Sequence, residues 1–278
     1  MFILLINTIV HNVSAQTEIK NDSTQKSFIE IGFIYQNQAV ETGRTFNVSQ
    51  FSIIPSLSYS HKSGFHLSVA GNWLSESEPN YMLTIISAEY RKKAGKNFTL
   101  SGSYARNIFN TDSLGLITNI FTASTSYKHK WFTSGISYSY LSGNETGHML
   151  SLSLDGYWEK EYSRTIDAIS LNPAITLTAG TATVPLSTFG KNIFEQGYRT
   201  TWSQRRRLMN PRSTSAQSTG YQFGLMNIDF SVPVQIYKGK FTFTSSANYS
   251  FPFKLQEEEG STVEPLFYFT AGILFTIQ

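Results

Sequence analysis

The 278-residue sequence contains no cysteine and little charge. The missing cysteine excludes disulfide bonds, thiolate metal ligands, thiol nucleophiles and a lipidated N-terminal cysteine. It also suits a protein that is exported to an oxidising compartment. Charged residues make up only 15% of the chain, whereas they make up roughly 25% of typical soluble domains. The composition therefore differs from that of an ordinary soluble domain, although the length is compatible with one large domain.

Long hydrophobic runs are also missing. After residue 10 no apolar stretch approaches the roughly 20 residues that a transmembrane helix requires, because serine and threonine interrupt every run. The chain does contain 21 phenylalanines and 15 tyrosines. Few charges, many hydroxyl groups and many aromatic rings are typical of strands that present one face to lipid and the other to water.

The N-terminal residues have the pattern of a signal peptide. A short apolar core at 2–10 is followed by Val13, Ser14 and Ala15, which form a small-residue cleavage site before Gln16. No basic residue precedes the core, and a buried N-terminal strand is the alternative. We predict a signal peptide at 1–15, a short periplasmic segment at 16–26 and one domain at 27–278.

From residue 27 onward, apolar and polar residues alternate with the period of two that indicates β-strands. In residues 241–253, for example, aromatic residues and alanine on one face alternate with threonine, serine and asparagine on the other. Stretches of this length match tilted membrane-spanning strands of about 9–11 residues. Twelve segments follow one another, at 27–39, 46–60, 64–74, 80–91, 97–108, 116–128, 131–141, 147–158, 164–179, 221–237, 240–253 and 265–277.

The connections between these segments differ according to their order. Even-numbered connections are short and basic, as at 61–63, 128–130 and 238–239, whereas most odd-numbered ones are longer, up to 180–220. Membrane barrels have short periplasmic turns and longer extracellular loops, and an even number of strands leaves both termini in the periplasm. A soluble all-β chain gives no reason for such an arrangement.

A soluble sandwich or a lipocalin-like barrel is the alternative fold. Such a fold needs a charged exterior, but the polar face of these segments carries mainly serine, threonine and asparagine. Aromatic residues concentrate near the ends of the apolar face, as at Tyr35, Trp73 and Trp158, which is typical of interfacial girdles. We therefore predict an all-β fold, a closed antiparallel transmembrane β-barrel of about twelve strands.

Two local features depart from the simple pattern. In the segment 80–91, Leu83, Ile85 and Ile86 give both faces apolar character. In addition, prolines at positions 55, 173, 233 and 252 lie within predicted strands. Because proline cannot donate a ladder hydrogen bond, we expect bulges or bends at these positions.

Several segments resemble small outer-membrane β-barrel proteins of Gram-negative bacteria. They are 230–233 (FSVP), 238–244 (KGKFTFT), 249–252 (YSFP) and the ending 267–275 (FYFTAGILF). The similarity is best over 220–278. The closing aromatic strand resembles the C-terminal signal that the barrel-assembly machinery recognises, although this chain ends in Gln278 and not in an aromatic residue. The resemblance implies a location in the bacterial outer membrane and insertion by that machinery.

The apolar face of each segment assigns five ionisable residues to the lumen. They are Glu30, His66, Glu89, Asp155 and Asp229. Strand direction places the first four in the periplasmic half. A ring of carboxylates would favour cations in a pore. The alternative is that these groups pair with each other's neighbours, or with lower-rim cations such as Lys62, Arg91 and Lys93.

The predicted extracellular loop at 180–220 is far longer than an ordinary connection, and such loops are usually functional or disordered. It contains aromatic residues and a basic group consisting of Arg199, Arg205, Arg206, Arg207 and Arg212. Guanidinium groups bind phosphate or carboxylate with paired hydrogen bonds. Three interpretations are open. The loop binds lipopolysaccharide phosphates or an acidic solute, it folds inward as a plug, or it is solvated with its aromatic residues packed at the rim.

The sequence carries no convincing catalytic motif. It has no Gly-x-Ser-x-Gly elbow, no histidine pair with metal-ligand spacing and no glycine-rich phosphate loop. His148, with Asn144 and Glu145 nearby, is the only histidine close to a predicted outer-surface site. We therefore predict no enzymatic activity, no cofactor and no metal site. The basic residues are concentrated in one loop, and this distribution does not indicate nucleic-acid binding.

Together these features predict an outer-membrane protein in contact with membrane lipids, including lipopolysaccharide. We expect a porin-like passive channel, because twelve strands with mostly small inward residues leave room for water and small solutes. The alternative is a plugged, non-conducting barrel with a structural or ligand-binding role at the surface, carried out through the basic loop at 180–220.

Overall fold

The structure is a computed structural model that describes residues 26–41, 44–45, 50–77, 79–110, 117–143, 146–162, 166–181, 223–253 and 264–278. The predicted signal peptide and most of the loop at 180–220 lie outside these residues. Strands account for most of the described part of the chain. None of the described residues belongs to a helix that is long and apolar enough to cross a membrane.

Sixteen strand segments follow one another along the described chain. They are β1 (Phe28–Gln36), β2 (Val40–Glu41), β3 (Arg44–Thr45), β4 (Ser52–Ser60), β5 (Phe65–Leu74), β6 (Tyr81–Ala94), β7 (Phe98–Phe109), β8 (Ile117–Lys128), β9 (Phe132–Gly143), β10 (Thr146–Gly156), β11 (Trp158–Glu161), β12 (Ala168–Leu171), β13 (Ala174–Thr181), β14 (Phe223–Lys238), β15 (Phe241–Pro252) and β16 (Leu266–Ile277).

These segments make twelve barrel strands. β10 and β11 form one strand that is interrupted at Tyr157, and β12 and β13 form another that is interrupted at Asn172 and Pro173. Proline accounts for the second interruption, because it has no backbone N–H to donate to the ladder. β2 and β3 pair only with each other, in a small hairpin between β1 and β4.

The sheet closes on itself. Neighbouring barrel strands pair antiparallel around the sheet, and β1 also pairs with β16, from Ile29 opposite Ile277 to Gln36 opposite Thr270. Each of the twelve strands therefore has a neighbour on both sides, which satisfies the backbone hydrogen bonds as lipid requires. The predicted closed twelve-stranded antiparallel barrel is confirmed.

Bulges or bends were predicted at four prolines, and the ladders shift register at none of them. Pro55 pairs with Phe33 and Pro233 with Ser246, in ladders that keep their register throughout. The ladder between β4 and β5 instead skips Ile54 and Pro55 and resumes in the same register, so the missing donor removes pairing without inserting an extra residue. The three register shifts lie elsewhere, in the β5–β6, β8–β9 and β13–β14 ladders.

The two ends of the barrel differ in their connections. Short turns join β4 to β5, β6 to β7, β8 to β9, β11 to β12 and β14 to β15, and both termini of the barrel lie at this same end. In three of these turns Gly64, Gly95 and Gly239 adopt φ angles of 92°, 85° and 58°, a region that glycine enters at little cost. Because short turns and termini are periplasmic in such barrels, we refer to this end as the periplasmic end and to the opposite one as the outer end.

Candidate functional site

The outer wall of the barrel is apolar. Large hydrophobic side chains point outward along the strands and stay exposed, with Phe33, Phe223 and Phe267 each more than half exposed. Because exposing so much apolar surface to water would be unfavourable, a wall of this kind indicates contact with lipid.

Aromatic groups mark both edges of this apolar wall. Near the outer end, the Tyr35 and Phe51 ring centroids are 5.6 Å apart, and those of Phe51 and Trp73 are 5.5 Å apart. At the periplasmic end, the Lys130 Nζ atom lies 5.0 Å from the Trp131 ring centroid. Aromatic rings with a cation nearby are characteristic of membrane–water interfaces. The closed sheet and its wall define the protein as a transmembrane β-barrel.

Small hydroxyl side chains line much of the interior towards the periplasmic end. They hydrogen-bond in pairs across neighbouring strands. The oxygen–oxygen distances are 2.6 Å for Ser68–Ser87, 2.7 Å for Ser101–Ser124 and 2.8 Å for Thr122–Ser139. These inward residues are only half-buried, so water reaches this part of the lumen.

Towards the outer end, the interior changes to aliphatic side chains. Most of them are inward-facing residues of the outer halves of their strands, and they are 0–6% exposed. They are Ile34, Ile54, Ala70, Leu83, Ile85, Ala105, Ile117, Ile120, Leu141, Met149 and Met226. The inward side chains described in the outer half of the lumen are therefore buried, whereas the periplasmic half is lined by accessible hydroxyl groups.

The five ionisable residues predicted to face the lumen all lie at inward positions, because each is next to at least one exposed apolar residue of its strand. Glu30, for example, lies between the exposed Ile29 and Ile31. His66 and Glu89 are cross-strand neighbours on β5 and β6. Asp155 and Asp229 are on other strands, so the structure brings only one pair of the five directly together. Their predicted effect on ion preference stays a prediction.

Glu89 belongs to a small polar cluster near the periplasmic end. The Arg91 Nε and Nη2 atoms donate to the two carboxylate oxygens of Glu89 at 2.7 and 2.9 Å. On the neighbouring strands, the Ser60 hydroxyl lies 2.8 Å from His66 Nδ1. The Glu89 carboxylate is thus paired with the Arg91 guanidinium. This residue fits the predicted alternative, in which lumen-facing carboxylates pair with cations at the lower rim.

Asp229 lies in a second buried cluster between β14 and β15. Asn227 Nδ2 donates to the Asp229 carboxylate at 2.6 Å and to the Ser250 hydroxyl oxygen at 2.8 Å. The Ser250 hydroxyl group donates to the other carboxylate oxygen of Asp229. Asn227 and Ser250 are fully buried. Both Asp229 carboxylate oxygens thus accept a hydrogen bond within the cluster, which lowers the cost of burying them.

Sequence reasoning missed a set of buried amides in the outer half. Gln36, Gln50, Asn72 and Asn107 are at most 3% exposed. Within the described part of the chain, one amide atom of each side chain has no hydrogen-bond partner. Their inward parity was visible in the sequence, but ionisable residues alone were considered as lumen candidates.

The predicted anion-binding or plug residues belong to the loop at 180–220. Arg199, Arg205, Arg206, Arg207 and Arg212 lie outside the described residues. Of the possible catalytic triplet, Asn144 and Glu145 also lie outside them, while His148 Nδ1 is 2.6 Å from the Tyr138 hydroxyl on the outer wall. Among the described residues, no group of three or more histidine, aspartate or glutamate side chains is arranged to hold a metal ion.

No protein-family model matches the sequence, and no curated protein matches it significantly. Among solved structures, the fold is similar to the KdgM porin, with a TM-score of 0.51 and 10% identity over 90% of this chain and 99% of that chain. It is also similar to the COG4313 outer membrane channel from Pseudomonas putida F1, with a TM-score of 0.50 and 10% identity over 94% of this chain and 100% of that chain. LpxR from Salmonella typhimurium gives a TM-score of 0.45 at 10% identity, over 90% of this chain and 99% of that chain. The predicted resemblance to bacterial outer-membrane barrels is thus confirmed for the fold.

Proposed function

We propose that the protein is a porin-like channel of the bacterial outer membrane for small solutes, and that its passage is closed in the outer half of the lumen. The observation that carries this proposal is the contrast between the two halves of the interior. Accessible serine and threonine hydroxyl groups suit a water-filled passage, whereas buried aliphatic side chains exclude water. Hydrophobic sections of this kind close channels to ions by dewetting.

The fold supports the channel proposal, because a porin and an outer membrane channel have the same architecture over nearly the whole chain. The inward carboxylates Glu30, Asp155 and Asp229 would favour the passage of cations over that of anions. As partners we propose the surrounding lipids, including lipopolysaccharide, and the barrel-assembly machinery during insertion. We further propose that the protein has no enzymatic activity.

A plugged, non-conducting barrel is the second candidate. The burial of the aliphatic side chains in the outer half favours it, because a bare ring of side chains in a twelve-stranded barrel would leave a central opening. In this case the basic loop at 180–220 would serve a structural or ligand-binding role at the surface.

Single-channel conductance in planar bilayers tests the proposal. The double variant Leu83→Ser and Ile85→Ser introduces hydroxyl groups into the buried aliphatic section. We expect larger conductance or more frequent opening than in the wild type, because a polar lining stays wet. The matched control is Ile86→Ser, on the same strand but 48% exposed on the outer wall, which should conduct like the wild type.

A variant that lacks residues 183–217 separates the two candidates. Conductance that appears only after this deletion would identify a plug and support the second candidate. Silence of the wild type, the double variant and the deletion variant together would overturn the channel proposal. Electrophoretic mobility before boiling checks that each variant has folded.

A further inference from the structure

Arg106 is an outward-facing cation on the lipid-facing wall. It lies three residues before the outer end of β7, is exposed, and points to the same side as Tyr104 and Ile108. Its Nη1 atom donates to Asn119 Oδ1 at 3.5 Å, and among the described residues it forms no ion pair. A charged side chain on the lipid face is costly unless it lies near the headgroups. The position of Arg106 therefore indicates the level of the outer-leaflet headgroups.

Further hydrogen-bonding groups lie beside Arg106 on the same wall. The Tyr104 hydroxyl group donates to Asn119 Oδ1 at 2.8 Å, so that Asn119 accepts from two neighbours. Two strands further on, the Tyr138 hydroxyl is paired with His148. These residues form a band of polar and aromatic side chains on the outer wall across β7, β8, β9 and β10.

A depression in the wall lies next to this band on its periplasmic side. Gly102 and Ala123 are cross-strand neighbours on β7 and β8, and both face outward. Their small size leaves a shallow, largely open hollow of about 540 Å³. It is bordered by the aromatic rings of Phe65, Tyr90, Tyr104, Phe121, Tyr138 and Tyr140. The hollow is apolar and opens towards the lipid, so that a hydrocarbon chain fits its chemistry.

We propose that this face of the barrel binds one lipopolysaccharide molecule of the outer leaflet. A lipid phosphate pairs with the Arg106 guanidinium beside Asn119, and an acyl chain fills the hollow over Gly102 and Ala123. The phosphate supplies the negative charge that Arg106 lacks within the described protein, and charge-assisted hydrogen bonds of this type are the strong ones. The proposal rests on the membrane barrel and not on channel activity.

Native mass spectrometry of the refolded protein with added lipid A tests the proposal. We expect one retained lipid A per barrel. Arg106→Gln should weaken retention about tenfold or more, since it removes a hydrogen bond to a charged group. Gly102→Leu and Ala123→Leu should weaken it by filling the hollow. A Cβ atom at Gly102 would meet no heavy atom within 4 Å, so the backbone accepts a side chain there, and electrophoretic mobility before boiling checks that the variant has folded.

Matched controls are available on the opposite part of the wall. Ala247→Leu adds the same bulk at an outward, exposed position of β15, and Lys238→Gln removes an exposed cation at the periplasmic end. Both variants should retain lipid A like the wild type. The proposal would be overturned if Arg106→Gln retained as much lipid A as the wild type, or if both Gly102→Leu and Ala123→Leu did so. Equal retention of phosphatidylglycerol would overturn the assignment to lipopolysaccharide, and dimers that disappear in Gly102→Leu would identify a contact between barrels instead.

Discussion

Replacing Ser250 with alanine tests whether the buried cluster of Asp229 holds β14 and β15 together. The Ser250 hydroxyl group donates to the Asp229 carboxylate and accepts from Asn227 Nδ2 at 2.8 Å, in a fully buried position. A hydrogen bond to a charged group contributes roughly 1.5–3 kcal/mol, and a neutral one contributes about 1 kcal/mol. We therefore expect Ser250→Ala to lower the free energy of unfolding by about 2–4 kcal/mol.

The measurement is urea-induced unfolding of the protein in lipid vesicles, followed by tryptophan fluorescence. Ser245→Ala is the matched control, because Ser245 is on the same strand but exposed on the outer wall. It should change the free energy of unfolding by less than about 0.5 kcal/mol. Equal losses in the two variants would refute the reasoning, since the hydroxyl group would then contribute nothing through its buried partners.

Three further predictions concern the turns, the lumen and the barrel as a whole. Gly64→Ala should destabilise more than Gly95→Ala in the same urea assay, because both have positive φ but only a Cβ at Gly64 would collide with the Arg91 carbonyl oxygen; equal losses would contradict this. Glu89→Gln leaves the Arg91 guanidinium without its carboxylate, so the reversal potential in a salt gradient should shift towards anion preference, and an unchanged potential would count against a lumen role for this pair. The folded barrel should migrate faster on a gel before boiling than after, whereas identical migration, together with solubility without detergent, would contradict the membrane assignment.

Strand number and closure followed from the sequence because they depend on local patterns. Alternation with period two sets which residues face lipid, and the order of short and long connections sets which end is periplasmic. Strand interruptions were harder to foresee. The interruption at Pro173 has a local cause, but Tyr157 has no backbone restriction that would reveal a break in the strand. The register shifts near the outer end depend on how neighbouring strands meet, which no single segment specifies.

The aliphatic section of the lumen could be foreseen only in part. Leu83 and Ile85 share one face of a predicted strand and Ile86 lies on the other, so the segment was visibly apolar on both faces, which is the signal of an inward apolar position. Ile34 and Ile54 carry the same signal in their own segments. The alternation analysis assigned apolar residues to the lipid face as a class, so their inward parity was not weighed. Whether inward residues are wet or buried depends on the whole ring of strands.

The seam between β1 and β16 has a consequence for the order of folding. Hairpins such as β14–β15 close a turn of a few residues, whereas Ile29 meets Ile277 only across nearly the whole chain. If no other strands had paired, closing so long a loop would cost about 3–4 kcal/mol more than closing a short turn. Earlier hairpins reduce this cost by bringing the two terminal strands near each other. Pairing of β16 with β1 thus completes the barrel, and a chain cut before residue 266 would have two unpaired sheet edges in contact with lipid.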